Sequence, residues 1–358
     1  MNILIAAGGT GGHIFPALSV AAALQDQGHT VEWATTDRGW TASLAEKYGI
    51  PRQVLSVEGF QSTSILDRIG PIWKMVRATA RLFPRITSYN VVIAFGGYVC
   101  GPVLQACRMR GVPYFLHEQN SVLGFVNRSF VKKAEAIFLG MPLIPSMLPA
   151  LLEKDIICGT PVRPRKREYA QDLYPEGFVC GKRTILITGG SQGAQSMNEA
   201  LYEAIDYISG FGVQVLWQTG TVSYKKIAQR YAYNKVVFPF AHTEDMYPYY
   251  AVASLVIGRA GAATISESAF FGLPALFIPL PWAADNHQYH NAMNAQSEGW
   301  ATCLPQADGL GRKVIDMYKY LFKEDPEEYA LRQKKARMAA PYQATETIIK
   351  TVERHYEA

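Results

Sequence analysis

Two glycine-rich turns, Gly8–His13 and Gly189–Gly193, lie one domain apart in the chain. Each follows a short apolar run and precedes a helical pattern, so the order strand, glycine-rich turn, helix occurs twice. Glycines let backbone N–H groups approach an oxygen-rich ligand, and the N-terminus of the following helix favours negative charge. Neither turn has the pattern of an ATP-hydrolysing phosphate loop. The two turns predict a pair of Rossmann-like halves with a cleft between them.

The length and composition agree with two domains. A chain of 358 residues, 49% of them hydrophobic, can supply a core to each domain. Its five cysteines form no C-x-x-C pair and are odd in number, which predicts reduced thiols in a cytosolic protein and no zinc site. The first residues lack the basic character of a signal peptide, and no apolar run approaches the ~20 residues that span a bilayer. We therefore expect a soluble or peripheral protein.

Strand-like and helix-like patterns alternate along the chain in the βαβ manner, which predicts parallel sheets. We expect an N-terminal domain of residues 1–162, a C-terminal domain of residues 163–340, and a terminal helix within residues 341–358 that packs back on the N-terminal domain. The segment Thr160–Arg167, rich in proline and charge, is the expected connection. The predicted strands are Asn2–Ala7, Thr30–Thr35, Val91–Phe95, Val112–His117, Ala136–Leu139, Asp155–Cys158, Thr184–Thr188, Val213–Gln218, Lys235–Pro239, Leu255–Gly258, Ala275–Pro279 and Ala301–Leu304.

A basic stretch without any acidic residue runs from Arg68 to His117. Part of it is predicted to be an amphipathic helix that begins near Pro71, with Ile72, Trp73 and Val76 on its apolar face. The helix either packs on the core with a solvated basic face or contributes to a surface that meets anionic lipid headgroups. No nucleic-acid partner is expected, because no module for one is recognisable. The residues predicted for membrane contact are Arg68, Trp73, Lys74, Met75, Arg77, Arg81, Leu82, Phe83 and Arg85.

Polar residues cluster directly after several predicted strands, where ligands of open α/β sheets bind. In the first half they include His13 and His117–Asn120, and in the second half Arg259–Glu267 and Pro281–Asn291. A carboxylate one turn into a helix, such as Glu267, is well placed to accept hydrogen bonds from paired sugar hydroxyls. The sequence therefore predicts a ligand site at this edge of each sheet.

Five of these motifs have a combined order and spacing that is far more specific than either glycine-rich turn alone. They are Gly8–His13, His117–Asn120, Gly189–Ala194, Arg259–Glu267 and Gln288–Ala292. Together they resemble the MurG family, cytoplasmic N-acetylglucosaminyltransferases that complete the lipid-linked peptidoglycan precursor, over essentially the whole chain. The resemblance implies an α/β protein of the GT-B fold, with two Rossmann-like domains whose parallel sheets face each other across a cleft. It places the acceptor on the N-terminal domain and UDP-N-acetylglucosamine (UDP-GlcNAc) mostly on the C-terminal domain.

The resemblance also implies which residues bind the donor. Ser191 and its turn would meet the diphosphate, Glu267 the ribose hydroxyls, and Gln288 the transferred sugar. His287 departs from the family, whose members often carry a second glutamine there, and no uracil contact is assigned within Phe240–Met246. The remaining residues implied to contact the donor are Thr10, Gly11, Gly12, Asn120, Arg163, Ala262, Ala263, Thr264, Ile265 and Ser266.

The implied chemistry is an inverting displacement, in which an acceptor hydroxyl attacks the anomeric carbon from the face opposite UDP. That hydroxyl loses a proton, so a base with a pKa near the working pH is useful. His13 is the first candidate because histidine titrates near neutrality, and His117 and Glu118 are the competing candidates. Since no Asp-x-Asp pair stands at a strand end, fixed N–H dipoles rather than a metal are expected to stabilise the leaving diphosphate. No cofactor is expected.

The expected function is transfer of N-acetylglucosamine from UDP-GlcNAc to the 4-hydroxyl of the N-acetylmuramyl (MurNAc) group of undecaprenyl-pyrophosphoryl-MurNAc-pentapeptide. This is the step from lipid I to lipid II in peptidoglycan synthesis, and it implies roles in cell-wall biogenesis, cell shape and cell division. It also implies a peripheral location on the cytoplasmic face of the cell membrane. Two alternatives stay open: another GT-B transferase with a lipid or small-molecule acceptor, and a non-catalytic scaffold that binds a nucleotide sugar.

Overall fold

The structure, a computed structural model, describes residues 1–37, 39–59, 65–150, 154–163, 169, 173–190 and 193–357, with the backbone alone for residues 39–40, 65–69 and 149–150. The chain divides into two units. One comprises Met1–Arg163 together with Pro341–Ala358, and the other comprises Pro164–Ala340. The last segment of the chain therefore belongs to the same unit as the first.

The first unit alternates strands and helices from its first residues onward. Its described strands form a seven-stranded parallel sheet in the order β3-β2-β1-β4-β5-β6-β7. Its elements in chain order are β1 (Asn2–Ala6), α1 (Gly11–Asp26), β2 (Thr30–Thr35), α2 (Gly39–Tyr48), β3 (Arg52–Val54), α3 (Ile65–Leu82), β4 (Val91–Ala94), α4 (Cys100–Arg110), β5 (Tyr114–Glu118), α5 (Phe125–Phe130), β6 (Ile137–Leu139) and β7 (Asp155–Ile157).

The second unit repeats this alternation. Its described strands form a six-stranded parallel sheet in the order β10-β9-β8-β11-β12-β13. The elements that follow β7, ending with the terminal helix α14 of the first unit, are β8 (Thr184–Thr188), α6 (Gln195–Ala200), α7 (Tyr202–Ser209), β9 (Gln214–Gln218), α8 (Thr221–Arg230), β10 (Val237–Phe240), α9 (Tyr247–Val252), β11 (Leu255–Gly258), α10 (Ala262–Phe270), β12 (Ala275–Phe277), α11 (His287–Ser297), β13 (Ala301–Cys303), α12 (Leu310–Lys319), α13 (Pro326–Met338) and α14 (Ala344–Glu357).

Helices cover both faces of the first sheet. Side chains along a strand point alternately to its two faces. Accordingly, Ile3 and Ile5 of β1 pack in a buried cluster with residues of α1 and α14, while Leu4 and Ala6 pack in a second cluster with residues of α3 and α4. This two-sided burial explains why β1 is a continuous apolar run, as is typical of parallel strands.

The predicted fold class, an α/β protein with two Rossmann-like domains, is confirmed. Each of the twelve predicted strands corresponds to a strand of the structure. The additional strand β3 was missed because Arg52 and Gln53 supply no apolar signal at the edge of the sheet. The helix predicted to begin near Pro71 begins at Ile65, so Pro71 lies inside α3.

Candidate active site

The first glycine-rich turn lies at the carboxyl edge of its sheet, beside the loops that follow β4 and β5. β1, β4 and β5 are neighbours in the sheet, so their following loops are brought together. Gly97 has a φ of +83°, and a Cβ on it would overlap with the carbonyl oxygen of Gly8. This close contact joins two of the loops. The predicted groups Gly8–His13 and His117–Asn120 therefore belong to one site.

His13 lies half-buried in the first turn of α1, with its ring against Gly96. A Cβ on Gly96 would lie 2.9 Å from Cδ2 of His13, and the φ of Gly96 is +92°, so glycine is required for this ring position. Nδ1 of His13 lies 3.1 Å from Oγ1 of Thr10, the residue that precedes the helix. His13 is thus a partly exposed imidazole whose orientation is fixed by a neighbour.

His117 is completely buried at the carboxyl half of β5. Its Nε2 donates a hydrogen bond to the carbonyl oxygen of Gly159 at 3.3 Å, and its ring stacks on Phe95 with 5.2 Å between centroids. Burial lowers the pKa of His117 to about 4; the bond to Gly159 opposes the shift, and the charge of His13 adds to it. Because the ring of His117 is completely buried, a substrate hydroxyl has no access to it, which argues against His117 as the base.

Glu118 ends β5 and is 3% exposed. Oε1 accepts from the backbone N and the Nδ2 of Asn120, both at 3.2 Å. Oε2 accepts from the backbone N of Gly124 at 2.8 Å and from Nδ2 of Asn127 at 2.9 Å. Burial raises the pKa of Glu118, and these four hydrogen bonds oppose the shift. The carboxylate is bound to the loop after β5 and to Asn127 of α5, and almost none of its surface is exposed to a substrate.

The second glycine-rich turn follows β8 at the carboxyl edge of the second sheet. The hydroxyl of Thr188 donates to Oε1 of Gln218 at 2.6 Å and accepts from the backbone N of Gly190 at 3.2 Å, which orders the start of the turn. A Cβ on Gly193 would lie 2.7 Å from the backbone of the loop after β9, so the turn packs closely on that loop. Ser191, implied to meet the diphosphate, lies outside the described residues.

Arg259 follows β11 and places a guanidinium, 5% exposed, at the same edge. Nη1 donates to the carbonyl oxygens of Ile278 at 3.1 Å and Pro279 at 3.0 Å. Nη2 donates to Oε1 of Gln306 at 2.8 Å and to Oγ of Ser196 at 3.4 Å. Burial lowers the pKa of Arg259 to about 10, so the group stays charged near pH 7. Sequence reasoning assigned it no role, although its place directly after a strand was a signal.

Residues Ala262–Glu267 form the first turns of α10, so the predicted nucleotide-binding segment coincides with the N-terminus of a helix. Glu267 is half-buried and accepts a hydrogen bond from the hydroxyl of Tyr250 on α9. Burial, followed by the charge of Glu267, raises the pKa of Tyr250. Sequence reasoning missed Tyr250, because a contact between two separate helices leaves no motif.

Gln288 lies in the first turns of α11, beside the loops after β11 and β12. Its Oε1 accepts from the backbone N of Leu280 at 3.0 Å, so Nε2 is on the other side of the amide, away from that N–H. Asn291, one turn further on, is buried and donates from Nδ2 to the carbonyl oxygen of Ala260 at 3.1 Å. These bonds bring Gln288 and the Ala262–Glu267 segment into one site of the second unit.

Arg163, implied to reach the nucleotide, is the last residue of the first segment of unit one. Its guanidinium carbon lies 5.8 Å from the ring centre of Phe15 on α1. The side chain is therefore oriented by a cation–π contact within its own unit.

Among the described residues, no three or more His, Cys, Asp or Glu side chains cluster in a way that would hold a metal ion.

Two family models match the chain. The glycosyltransferase family 28 N-terminal domain matches residues 3–139, and the glycosyltransferase family 28 C-terminal domain matches residues 184–348. The chain is 33% identical to the UDP-N-acetylglucosamine--N-acetylmuramyl-(pentapeptide) pyrophosphoryl-undecaprenol N-acetylglucosamine transferase of Desulforamulus reducens, over 99% of this chain and 98% of the relative. It is 34% identical to the protein of the same name from Francisella philomiragia, over 98% of this chain and 97% of the relative.

This chain belongs to the MurG family. The crystal structure of Acinetobacter baumannii MurG agrees, with a TM-score of 0.76 and 28% identity over 99% of this chain and 100% of that chain. UDP-GlcNAc 2-epimerase from Neisseria meningitidis, bound to UDP-GlcNAc, shares the fold with a TM-score of 0.67 at 15% identity, covering 99% of this chain and 100% of that chain. The predicted MurG resemblance, GT-B fold and glycosyltransferase class are confirmed.

In this MurG-family chain, α3 presents apolar and basic side chains to solvent. Ile72, Trp73 and Val76 are 50%, 67% and 54% exposed, and Arg77 and Arg81 are exposed beside them. We refer to these five residues as the α3 strip. One of the two sequence interpretations predicted that this apolar face packs on the core. The structure instead directs these three apolar side chains to solvent.

Three other residues predicted for membrane contact are engaged inside the unit. Leu82 is 2% exposed and belongs to the core, so its predicted membrane contact is wrong. Met75 packs toward α4, where a Cβ on Gly101 would lie 2.8 Å from its Cε. The guanidinium carbon of Arg110 lies 4.9 Å from the ring centre of Phe83, so the guanidinium covers part of the Phe83 ring.

Two of the predicted basic residues are held in ion pairs. Nζ of Lys74 lies 2.6 Å from Oε1 of Glu58, and Nη2 of Arg85 lies 4.0 Å from Oε2 of Glu32. The side chain of Arg68 lies outside the described residues. Throughout the described chain, no helix combines the length and apolar character needed to cross a membrane.

Proposed function

We propose that this protein transfers N-acetylglucosamine from UDP-GlcNAc to the 4-hydroxyl of MurNAc in undecaprenyl-pyrophosphoryl-MurNAc-pentapeptide, which converts lipid I to lipid II. The observation that carries this proposal is the 33–34% identity to transferases named for this reaction, along nearly the whole of both chains. Because the similarity includes both units, it extends over the donor and acceptor sides of the reaction. The product serves peptidoglycan synthesis.

The proposed step is a single inverting displacement. The acceptor O4 forms a bond to the anomeric carbon, the bond from that carbon to the UDP oxygen breaks, and the electron pair leaves with UDP. His13 takes the proton of O4. Its partial exposure supports this role, and its Nδ1 contact with Thr10 helps to hold the ring in place. His117 and Glu118 are too deeply buried to compete.

We place the donor at the carboxyl edge of the second sheet. Glu267 accepts hydrogen bonds from the ribose hydroxyls, and Nε2 of Gln288 donates to the transferred sugar. The N-terminus of α10 directs N–H groups at the diphosphate, where the leaving charge develops, and Ser191 is assigned to the same group by its position in the family motif. The fixed positive charge of Arg259 lies at the same edge and favours the same anion. These groups stabilise the leaving group without a metal ion.

The remaining donor contacts carry over from the family by position. In the second unit they lie along α10, and in the first unit they lie at the start of α1, after β5 and at the end of the first segment. These residues are Thr10, Gly11, Gly12, Asn120, Arg163, Ala262, Ala263, Thr264, Ile265 and Ser266.

The α3 strip is proposed to hold the enzyme on the cytoplasmic face of the cell membrane as a peripheral protein. The acceptor stays in the bilayer through its lipid, so the active site must approach the headgroups. The exposed ring of Trp73 and the exposed Arg77 and Arg81 support this assignment, because amphipathic rings and basic side chains favour an anionic membrane surface.

The test is a turnover assay with radiolabelled UDP-GlcNAc and a set of lipid acceptors. We expect label to move to a lipid I analogue, with an inverted anomeric configuration in the product, and not to diacylglycerol. Transfer to diacylglycerol alone would indicate a different GT-B transferase. Binding of UDP-GlcNAc without transfer to any acceptor would indicate a scaffold, and either result would contradict the proposal.

A further inference from the structure

The loop after β5 is organised around one buried carboxylate. Glu118 accepts four hydrogen bonds, two from Asn120 and one each from Gly124 and Asn127, at distances of 2.8–3.2 Å. A carboxylate offers about four lone-pair positions, so these bonds use its accepting capacity. With 3% of its surface exposed, Glu118 faces its own chain and not the substrate side of the loop.

Two of the four hydrogen bonds orient Asn120, one from its backbone N and one from its Nδ2. A carboxylate only accepts, so Asn120 turns Nδ2 toward Glu118 and Oδ1 away from it. The neighbouring residue is fixed as well, because Nε2 of Gln119 donates to the carbonyl oxygen of Phe95 at 2.7 Å. The backbone N of Gly124 closes the turn on the same carboxylate, directly before α5. Asn120, which is half-buried, is thus the outer member of a rigid unit.

We propose that Glu118 is a positioning residue for the sugar transfer: it fixes Asn120 and the Asn120–Gly124 turn in the active site. This inference rests on the proposed function. Asn120 held in this way presents its amide oxygen, so the ligand group that this oxygen recognises is a hydrogen-bond donor. A sugar hydroxyl or an acetamido N–H fits that description, and a phosphate oxygen does not.

The test is a double-mutant cycle with Glu118→Gln and Asn120→Ala, read as kcat/KM for UDP-GlcNAc. In Glu118→Gln, an NH2 group replaces one carboxylate oxygen and faces the two N–H donors whose hydrogen bonds this oxygen accepted. Both hydrogen bonds are lost, so the turn loosens. We expect kcat/KM to fall by about 10- to 100-fold in each single variant, mostly through a higher KM. The kcat/KM of the double variant should be no lower than that of the less active single variant. The pH–rate profile of Glu118→Gln should keep the shape of the wild-type profile. Glu135→Gln, which changes an exposed carboxylate of the same unit, is the matched control and should behave as wild type.

Two results would overturn the proposal. One is additive losses in the cycle, which would mean that Glu118 does not act through Asn120. The other is a loss above about 10³-fold in kcat at unchanged KM, together with loss of the acidic limb of the pH–rate profile, which is expected of a base.

A milder variant, Asn127→Ala, covers the case in which Glu118→Gln does not fold. It removes one of the four hydrogen bonds to Glu118. A positioning role therefore predicts a higher KM for UDP-GlcNAc and no shift in the acidic limb of the pH–rate profile. If Glu118 were the base, the limb would move to higher pH, because its ionised form would lose a hydrogen bond.

A calorimetric measurement separates this inference from the proposed function. If the wild-type protein binds UDP-GlcNAc but transfers no sugar, the proposed function fails. In that case, the double-mutant cycle with Glu118→Gln and Asn120→Ala is repeated with the dissociation constant of UDP-GlcNAc as the measured quantity. Non-additive losses would still support the coupling of Glu118 to Asn120, and additive losses would still overturn it.

Discussion

The hydroxyl of Tyr250 on α9 hydrogen-bonds to the carboxylate of Glu267 on α10. Tyr250 is 2% exposed, so it is a rigid partner. A carboxylate that is already held by a buried neighbour loses less side-chain freedom when a ligand binds. In the proposed donor site, this contact would prepare Glu267 to accept hydrogen bonds from the ribose.

Donor affinity should depend on this pair. We expect Glu267→Ala to raise the dissociation constant of UDP by about 10- to 100-fold, because the ribose hydroxyls lose their acceptor. Tyr250→Phe should raise it by less, about tenfold. Isothermal titration calorimetry measures both effects. Tyr231→Phe, which removes a hydroxyl bonded to Asp206 elsewhere in the second unit, is the control. Unchanged UDP affinity in Glu267→Ala would contradict the assignment.

His13→Ala should lower kcat much more than it changes donor affinity. General-base catalysis contributes about 10²–10⁴-fold in rate, whereas loss of an orienting side chain mainly alters binding. Steady-state kinetics and UDP-GlcNAc titration separate the two. His355→Ala, on the terminal helix α14, serves as the control. A fall in kcat below tenfold would remove His13 from the role of base.

Stability should fall on acidification because of His117. Its pKa is about 4 in the fold and about 6.5 when unfolded, so the unfolded chain binds the proton first as the pH falls. The contribution is fully present above pH 6.5 and is lost progressively down to pH 4. This amounts to about 2 kcal/mol of unfolding free energy between pH 7 and pH 5. Urea titrations at both pH values should show a smaller difference in a His117→Gln variant, and an equal difference would refute the prediction.

Turnover should survive removal of divalent ions. The N-terminus of α10 and the charge of Arg259 are fixed in the protein, so the leaving diphosphate needs no added cation. The measurement is the transfer rate in excess EDTA, compared with the rate in added magnesium. Loss of activity in EDTA that magnesium or manganese restores would show that a metal takes part.

Membrane binding should depend on the α3 strip. Each basic residue near an anionic surface contributes about 1 kcal/mol, so Arg77→Gln with Arg81→Gln should weaken vesicle binding by about 30-fold. Trp73→Ser should weaken binding to anionic and neutral vesicles alike. Arg312→Gln with Lys313→Gln, two basic residues on α12, is the charge-matched control. Equal co-sedimentation of all variants with anionic vesicles would mean that the strip is only solvated surface.

Most of the fold follows from local pattern, and the exceptions are instructive. β1 could be predicted because Ile3, Leu4 and Ile5 are buried on both faces of a parallel sheet, which requires a continuous apolar run. β3 could not, since its pairing with β2 is a tertiary contact made by polar edge residues. Hydrophobic periodicity also identified α3 but not which of its apolar side chains face the core, because Leu82 and Trp73 are both apolar and only the structure shows that Leu82 is buried and Trp73 is exposed.

The sequence by itself determined the two strand–turn–helix repeats, the loops that carry polar residues, and the family. These depend on residue type and spacing along the chain. Only the tertiary structure shows how the surroundings of His13, His117 and Glu118 differ. The difference among them is burial and hydrogen bonding: His117 and Glu118 are enclosed, while His13 is partly exposed. The contact of Tyr250 with Glu267 was likewise decided by packing, since the protonation and orientation of a side chain depend on neighbours that are distant in sequence.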